Sequence, residues 1–208
     1  MRTDFTSLDR RIYRTRLMIQ ESLISLILEK GFERISVKDI ADHANVNRST
    51  FYAHYQDKFD LLDTIIEEKL ALLSKLFKET GPQVESRLLK FDEPDPYFVV
   101  LFNYMADSAR FYKVMFTFLE QERFKLKMQE VVREALYDRI SRLRMEQKLS
   151  VPLDIVLDYA SSSVMGVAEN WVKKDIIYSP HHMALQLTRL ASLGIYKAIG
   201  MEDNGRQN

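Results

Sequence analysis

Residues 47 to 54 place several hydrogen-bonding side chains on one short segment of the chain. Arg48 stands near its start, and a guanidinium group is suited to a bidentate contact with O6 and N7 of a guanine. Thr50, Tyr52 and His54 can each donate to a phosphate oxygen, although His54 could equally be a plain surface residue. The segment therefore indicates recognition of a nucleic acid through its base edges and its backbone.

The chain offers little support for catalytic or metal chemistry. It has no cysteine, which excludes thiol nucleophiles, disulfide bonds and cysteine-ligated metals. Its four histidines have no plausible triad partners, and there is neither a glycine-rich phosphate loop nor a pair of carboxylates at a recognisable spacing. His181 and His182 are adjacent, so on a helix they point about 100° apart and cannot chelate one metal ion together. We therefore predict a protein that is not an enzyme and needs no cofactor.

Positive charge is concentrated near the N-terminus. The 208 residues have a formal net charge of zero, so a nucleic-acid partner must be attracted locally. In the first sixteen residues five arginines outnumber two aspartates; the arginines are Arg2, Arg10, Arg11, Arg14 and Arg16. Such an arm can contact phosphates or a minor groove, and its binding weakens as the salt concentration rises.

The sequence shows no feature of export or membrane insertion. No segment fits a signal peptide, and no apolar run is long enough to span a bilayer. The lack of cysteine suits a reducing compartment. These observations predict a cytoplasmic protein with no membrane partner.

Two short helices joined by a three-residue turn would present the segment that carries Arg48. Ser36 with Asp39 forms a capping-box pattern, which predicts a helix from Ser36 to about Ala44. Asn47 can cap a second helix that runs from Arg48 to Tyr55. This arrangement is the helix-turn-helix that reads DNA, with a purely structural three-helix core as the alternative.

The residues between and within these helices suit that geometry. Asn45 occupies the turn position that requires a positive φ, which asparagine tolerates better than most residues. With Phe51 turned inward, Ser49 and Ala53 lie at the centre of the exposed face, flanked by Thr50 and Tyr52. The residues expected to hold the two helices together are Ile40, Ala41, Val46 and Phe51.

Longer helices flank this motif. The first is predicted from Leu8 to Lys30 and ends at Gly31, where a left-handed cap is expected. Its apolar stripe comprises Ile12, Ile19, Leu23, Leu26 and Ile27. Asp57 and Asp60 can start a fourth helix, with Lys58 in its first turn beside free amides that suit a phosphate.

The stretch from Ile19 to Ile66 resembles the DNA-binding head of the TetR family of bacterial regulators. The first helix, "ISVKDIADHANV", "NRSTFYAHYQDK" and "FDLL" follow in the order and spacing of that family. The resemblance implies a homodimer whose two recognition helices enter successive major grooves of a double-stranded DNA operator. The chain departs from the usual head at Asn45, where glycine is common, and at Ala53, where a larger aromatic is frequent.

The resemblance also implies roles for individual residues. It matches Arg48, Ser49 and Tyr52 to base-reading positions and Thr50 and Lys58 to phosphate positions, while Lys38 matches a further base contact. Together with the reasoning from the residues themselves, it predicts a DNA site made of Lys38, Asn47, Arg48, Ser49, Thr50, Tyr52, His54 and Lys58.

The rest of the chain is predicted to be a larger helical body. Glycine and proline are few, and apolar residues recur at helical spacing, so we predict an all-α fold of about nine helices with no sheet. The head is assigned to residues 1–56 and the body to residues 57–208, with a looser connection over 81–96. The remaining helices are expected as two short ones between Tyr97 and Phe118, broken near Asp107, then Glu122 to Lys148, Leu153 to Lys174, and Pro180 to Ile199 capped by Ser179.

An aromatic cluster marks the body as a place where a small molecule could bind. Aromatic residues at helical spacing are more often core than pocket, so both interpretations stay open. The residues predicted to line a pocket are Tyr104, Phe111, Phe116, Asn170 and Trp171.

The helix from Leu153 to Lys174 is predicted to pair with a second copy of the chain. Its segment from Tyr159 to Ala168 carries no charge on any face and contains small residues that allow close helix approach. A fully internal helix is the alternative. The residues predicted for the interface are Tyr159, Ser163, Gly166, Val167, Leu187 and Leu190.

These features predict a transcription regulator, most simply a repressor, that binds a pseudo-palindromic operator as a homodimer. A small apolar or aromatic effector would shift the spacing of the heads. The segments "SARFYKVMFTF" and "VMGVAENWVKKDIIYSPHHMALQL" are similar to the TetR branch that contains regulators of dihydroxyacetone kinase operons. That likeness allows an alternative, a helical adaptor or co-activator regulated by a protein partner.

Overall fold

The computed structural model describes residues 7–84, 91–119, 122–144 and 149–199. Within these ranges the chain forms α-helices, one short 3-10 helix and one π-helix, and no strand occurs. The α-helices are α1 (Ser7–Lys30), α2 (Val37–His43), α3 (Arg48–Tyr52), α4 (Lys58–Val84), α5 (Pro96–Asp107), α6 (Ala109–Lys113), α7 (Glu122–Arg142), α8 (Leu153–Lys173) and α9 (Pro180–Ala198). The predicted all-α class is confirmed.

Local capping chemistry sets the ends of the first helices. Gly31 follows α1 with a φ of 77°, which a residue with a Cβ rarely adopts. Ser36 caps α2 in a reciprocal capping box with Asp39, as predicted. Asn47 is the cap residue of α3, but its side chain makes no capping hydrogen bond. α3 ends before the predicted Tyr55, because the chain tightens after Tyr52 and the His54 amide donates to the Phe51 carbonyl.

α4 is longer than the sequence suggested. Asp57 accepts hydrogen bonds from the amides of Phe59 and Asp60, both at 2.8 Å, and so caps the helix start. The helix continues through Gly81 and Pro82 to Val84, where the sequence predicted a loose connection. Pro82 has no amide hydrogen to donate to the Lys78 carbonyl, so the last turn of α4 lacks that backbone hydrogen bond.

The chain is divided into two compact units. The first comprises described residues within Met1–Lys69 and Lys113–Gln121, and the second those within Leu70–Tyr112 and Glu122–Asn208. In the first unit α1 packs against α2 and against the π-helix. In the second unit α5 packs on α9 and α7 packs on α8. The predicted division between residues 56 and 57 stays a prediction, although the first unit extends along α4 and includes a segment from the middle of the chain.

The π-helix Val114–Phe118 directly follows α6. The Leu119 amide donates to the Val114 carbonyl at 3.0 Å, which closes the wider i to i+5 turn. Val114, Met115 and Phe116 are fully buried. The predicted break near Asp107 is confirmed at Ser108, but apolar periodicity alone gave no indication of a π-helix.

A buried polar cluster ties three helices of the second unit together. Asp95 caps α5 by accepting from the Tyr97 amide at 2.9 Å, and its own amide donates to Thr188 Oγ1 on α9 at 2.7 Å. Arg139 on α7 donates to the Asp95 carboxylate and stacks over the Tyr97 ring. α7 ends at Arg142, earlier than predicted; residues 145–148 of the predicted helix lie outside the described ranges.

Candidate nucleic-acid interface

The crossing of α2 and α3 is held by a sealed apolar seam. Ile40, Ala41 and Phe51 are at most 1% exposed. Asn45 has a φ of 53°, as the turn geometry predicted, and the Val46 amide donates to the Ala41 carbonyl at 2.9 Å. The turn and the seam together fix the direction in which α3 presents its outer face.

The outer face of α3 carries the predicted reading groups. Asn47, Arg48, Ser49 and Ala53 are exposed. The Tyr52 side chain is 57% exposed, and its ring contacts the buried Phe51 edge-on at 5.6 Å between centroids. This contact limits the directions that the Tyr52 hydroxyl can take. The guanidinium of Arg48, the hydroxyl of Ser49 and the phenol of Tyr52 can donate hydrogen bonds from this face to base edges and phosphates.

The other predicted DNA residues differ in their exposure. Lys38 on α2 is exposed, whereas Thr50 and His54 are half-buried. Lys58 is held within the first unit: its Nζ donates to the Phe32 carbonyl at 3.0 Å and lies 4.6 Å from the centroid of the Phe32 ring. The sequence could not reveal this contact, because the two residues are far apart along the chain. The predicted DNA site as a set stays a prediction.

The arginine-rich arm is partly helical. α1 begins at Ser7, and Arg10, Arg11 and Arg14 are exposed on its first turns, while Arg2 lies outside the described residues. Arg16 differs, because it forms an ion pair with Glu68 on α4 and a hydrogen bond to the Tyr55 hydroxyl. The hydrogen bond to Tyr55 and the nearby charge of Glu68 raise the pKa of Arg16. Arg16 therefore joins α1 to α4 within the first unit.

An open groove lies between α8 and α9 in the second unit, with a volume of about 620 Å³. All six residues predicted for a subunit interface line it: Tyr159, Ser163, Gly166, Val167, Leu187 and Leu190. Tyr159 is 59% exposed, and Gly166 has open space where a Cβ would lie. No described part of the chain therefore covers the outer side of the charge-free face of α8.

The residues predicted for a ligand pocket fall in different surroundings. Asn170 and Trp171 line the groove. Tyr104 and Phe111 lie in the buried aromatic core of the second unit, where burial raises the pKa of Tyr104 to about 12. Phe116 is buried in the first unit. The pocket formed by these residues stays a prediction.

Neither metal binding nor membrane insertion is indicated by the described residues. They contain no group of three or more histidine, aspartate or glutamate side chains placed to hold a metal ion. No described helix is both long enough and apolar enough to cross a membrane.

Comparison with known proteins identifies the family. Residues 21–65 match the family model "Bacterial regulatory proteins, tetR family", and residues 92–193 match the model "Transcriptional regulator C-terminal region". The chain belongs to the TetR family of transcriptional regulators. The prediction of a TetR-family transcriptional regulator is confirmed.

A curated relative of this TetR-family regulator is the uncharacterized HTH-type transcriptional regulator YxbF of Bacillus subtilis (strain 168). The two are 38% identical over 65 residues, which is 31% of this chain and only 17% of the relative's length. The likeness to this relative therefore concerns a small part of that protein.

Solved structures share the fold of this regulator over most of its length. The fatty acid degradation regulator FadR from Bacillus halodurans is 20% identical with a TM-score of 0.67, over 87% of this chain and 96% of that one. The dihydroxyacetone kinase operon activator DhaS is 19% identical with a TM-score of 0.62, over 85% and 93%. Identities this low show a common fold alone, so the resemblance to the dihydroxyacetone kinase branch stays a prediction.

Proposed function

We propose that this regulator is a cytoplasmic homodimer that binds a pseudo-palindromic operator, acts as a repressor and changes its DNA affinity when a small molecule binds the body. The observation that carries the proposal is the outer face of α3, where Arg48, Ser49 and Tyr52 are exposed above the sealed Phe51. The membership of the TetR family supports it.

The proposed DNA contacts are of two kinds: contacts to base edges, which recognise sequence, and contacts to phosphates, which do not. Arg48 would read a guanine, with Ser49 and Tyr52 beside it, and the exposure of all three residues on α3 supports this assignment. Arg10, Arg11 and Arg14 project from the exposed start of α1 and would hold phosphates without reading sequence. Lys58 already donates to the carbonyls of Phe32 and Glu33, so its contribution would be to fix the 3-10 helix Phe32–Arg34 beside α4.

The dimer is supported by the uncovered face of α8 and α9. A large apolar face exposed to water is unfavourable, and burying it against an identical face satisfies both copies at once. Exposed members of this face include Ile155, Tyr159, Leu190 and Ile195. Two copies joined here would each carry one head, and the half-sites would lie about 34 to 36 Å apart.

The effector acts only through a difference in affinity between two arrangements of the dimer. A ligand that prefers the arrangement unable to span two half-sites lowers operator affinity by the ratio of its two binding constants. Such couplings are typically about 5- to 150-fold.

The direct test compares Arg48→Ala and Tyr52→Ala with the wild type. A binding sequence is first selected from a random double-stranded DNA library with the wild-type protein, and affinities are then measured by fluorescence anisotropy. Each substitution should weaken binding by about 5- to 150-fold, because a good base contact contributes about 1–3 kcal/mol. The selected sequence should also contain two inverted half-sites.

Matched controls come from the second unit. Arg123 is exposed at the start of α7, and Tyr137 is 46% exposed on the same helix. Arg123→Ala and Tyr137→Ala should leave DNA affinity unchanged. If Arg48→Ala and Tyr52→Ala fold normally and also leave it unchanged, the head does not read DNA through α3, and an adaptor role would be favoured.

A further inference from the structure

Tyr55 connects the buried side of α3 with a polar cluster in the first unit. It lies just beyond the end of α3 at Tyr52, and only 3% of its surface is exposed. Its ring contacts the ring of Phe51, with 5.8 Å between the two centroids. Its hydroxyl accepts hydrogen bonds from two side chains of α1, Gln20 Nε2 at 3.3 Å and Arg16 Nε at 3.5 Å. One side chain therefore contacts both the seam beneath α3 and the first helix.

The two donors to the Tyr55 hydroxyl are themselves held by Glu68 of α4. Gln20 Nε2 donates to Glu68 Oε2 at 2.8 Å, and Arg16 forms an ion pair with the other oxygen of the same carboxylate. Arg16 and Gln20 are four residues apart on α1, so their side chains lie on one face of that helix. The bonds to the hydroxyl are longer than the usual 2.7 to 3.2 Å or so, whereas the contacts with Glu68 are short. Glu68 therefore sets the positions of the two donors, and the hydroxyl is placed by them.

α3 is too short to define its own direction. It has five residues, which is about 7.5 Å of helix, and a helix of this length is not stable without tertiary contacts. A tilt of about 10° would move one of its ends by about 1.3 Å, which takes a donor out of hydrogen-bond distance. Phe51 fixes α3 against α2, and Tyr55 adds a second fixed point beyond its C-terminal end. The direction of the helix axis therefore depends on both rings.

The helix that holds the Tyr55 hydroxyl also carries the exposed arginines. α1 runs without a break from Ser7 to Lys30. Its first turns carry Arg10, Arg11 and Arg14. Phosphate contacts fix the register in which a protein lies on the duplex, and base contacts read the sequence in that register. A firm link between α1 and α3 would keep these two sets of contacts at a constant spacing.

We propose that Tyr55 is a positioning residue for DNA reading: its hydroxyl, held by two donors of α1, keeps α3 at the angle at which its exposed side chains meet base edges. The inference rests on the proposed function, because it requires that α3 reads DNA. Without the hydroxyl, α3 adopts further orientations, and affinity for the operator falls with the fraction of molecules in the reading orientation. Sequence-independent binding depends on charge, so it is not affected by such a tilt.

Tyr55→Phe tests the proposal, because it removes the hydroxyl and keeps the buried ring. Fluorescence anisotropy gives the affinity of the full-length protein for the sequence selected with the wild type and for a scrambled duplex of the same length. Both are measured at a temperature at which circular dichroism shows every variant folded. The ratio of the two affinities should fall about two- to tenfold, which is the range that the lost hydrogen bonds can contribute. Affinity for the scrambled duplex and its salt dependence should equal those of the wild type.

Two further variants show whether the effect belongs to this cluster. Gln20→Met removes one donor, leaves the Tyr55 ring in place and should lower the affinity ratio in the same way. Combined with Tyr55→Phe it should lower the ratio no further than Tyr55→Phe alone, because both changes break the same link. Lys30→Gln is the matched control: Lys30 is also a polar residue of α1, but it pairs with Asp39 of α2 at 3.0 Å. Its ratio should equal that of the wild type.

Two results would overturn the inference: a wild-type ratio in Tyr55→Phe, or an equal loss of affinity for both duplexes, which a purely structural role predicts. If Tyr55→Phe does not fold, Gln20→Met decides between the same outcomes. Arg48→Ala separates this inference from the proposed function. A lower ratio in Arg48→Ala with a wild-type ratio in Tyr55→Phe would refute the positioning role and leave DNA reading by α3 intact. Wild-type ratios in both variants would refute both.

Discussion

Single side chains in the head divide into those that face outward and those that hold the head together. Arg48, Ser49 and Tyr52 are exposed, whereas Arg16 and Lys58 are engaged with other residues of the head. All five are polar residues near the same motif, so residue type alone does not separate them. The difference arises from which partners the fold brings within hydrogen-bond distance.

Asp39 provides a pH-dependent prediction at this scale. Its carboxylate accepts from the Ser36 hydroxyl and amide at 2.6 and 2.8 Å and pairs with Lys30 at 3.0 Å, which holds its pKa well below the ordinary 3.8. A pKa lowered by folding stabilises the protein above pH 3.8, and this stabilisation is lost as the pH falls below that value. Asp39→Asn should lower Tm at pH 7, and the difference from the wild type should shrink progressively as the pH falls below 3.8.

Asp42 supplies the control for this measurement, because it is an exposed carboxylate on the same helix. Thermal unfolding of Asp42→Asn should follow the wild type across the pH range. A Tm difference for Asp39→Asn that does not shrink as the pH is lowered from 7 to about 2 would contradict the role of the ionised carboxylate.

Elements of the head are set by a few cap and turn residues. Gly31, Ser36 and Asp57 each mark the predicted end or start of a helix, because their effect depends only on the neighbouring backbone. The end of α4 was not predictable in the same way. Its last turns contain Gly81, which lies so close to the Arg142 guanidinium that a Cβ would collide with it.

The turn between α2 and α3 yields a prediction about stability. Asn45 has a φ of 53°, where glycine has no steric penalty and a β-branched residue has a large one. Asn45→Gly should stabilise the protein by up to about 1 kcal/mol, and Asn45→Val should destabilise it by about 1–2 kcal/mol. Urea unfolding followed by circular dichroism would measure both changes.

Asn47 is the matched position, since its φ is −74° and glycine brings no relief there. Asn47→Gly should therefore lower the free energy of unfolding, because it adds freedom to the unfolded chain. If glycine changed the free energy of unfolding equally at both positions, the left-handed backbone at Asn45 would not be the cause of the change.

The exposed arginines at the start of α1 predict how DNA affinity depends on salt concentration. Arg10, Arg11 and Arg14 are exposed, while Arg16 is paired with Glu68. Replacing the first three by glutamine should reduce the slope of log affinity against log salt by about one for each phosphate that is no longer neutralised. Arg16→Gln should lower the melting temperature but leave that slope unchanged. An unchanged slope in the triple variant would exclude a phosphate role for this part of the helix.

At the scale of the whole molecule, the uncovered face of α8 and α9 is the surface through which we expect two protomers to pair. Gly166 lies on this face with nothing within 4 Å of a Cβ built there, so the protomer can accept a side chain at that position. Gly166→Arg should therefore fold but fail to pair, because it places an unpaired charge in the proposed interface. Sedimentation velocity should show monomers, and operator affinity should fall about a hundredfold because bivalent binding is abolished.

Gly166→Ala is the control, since a methyl group fits the open space and adds no charge. It should remain dimeric and bind DNA like the wild type. A Gly166→Arg protein that sediments as a dimer would place the subunit contact elsewhere.

The sequence by itself determined the helical class, the helix-turn-helix and the outward position of Arg48, Ser49 and Tyr52. These depend on caps, on helical periodicity and on a turn residue, all of which act over a few neighbouring positions. Tertiary structure decided what depends on distant partners: the contact of Lys58 with the Phe32 carbonyl, the ion pair of Arg16 with Glu68, and the π-helix in the first unit. It also decided that Trp171 and Lys174 border one groove, because that space exists only once α5, α8 and α9 are packed.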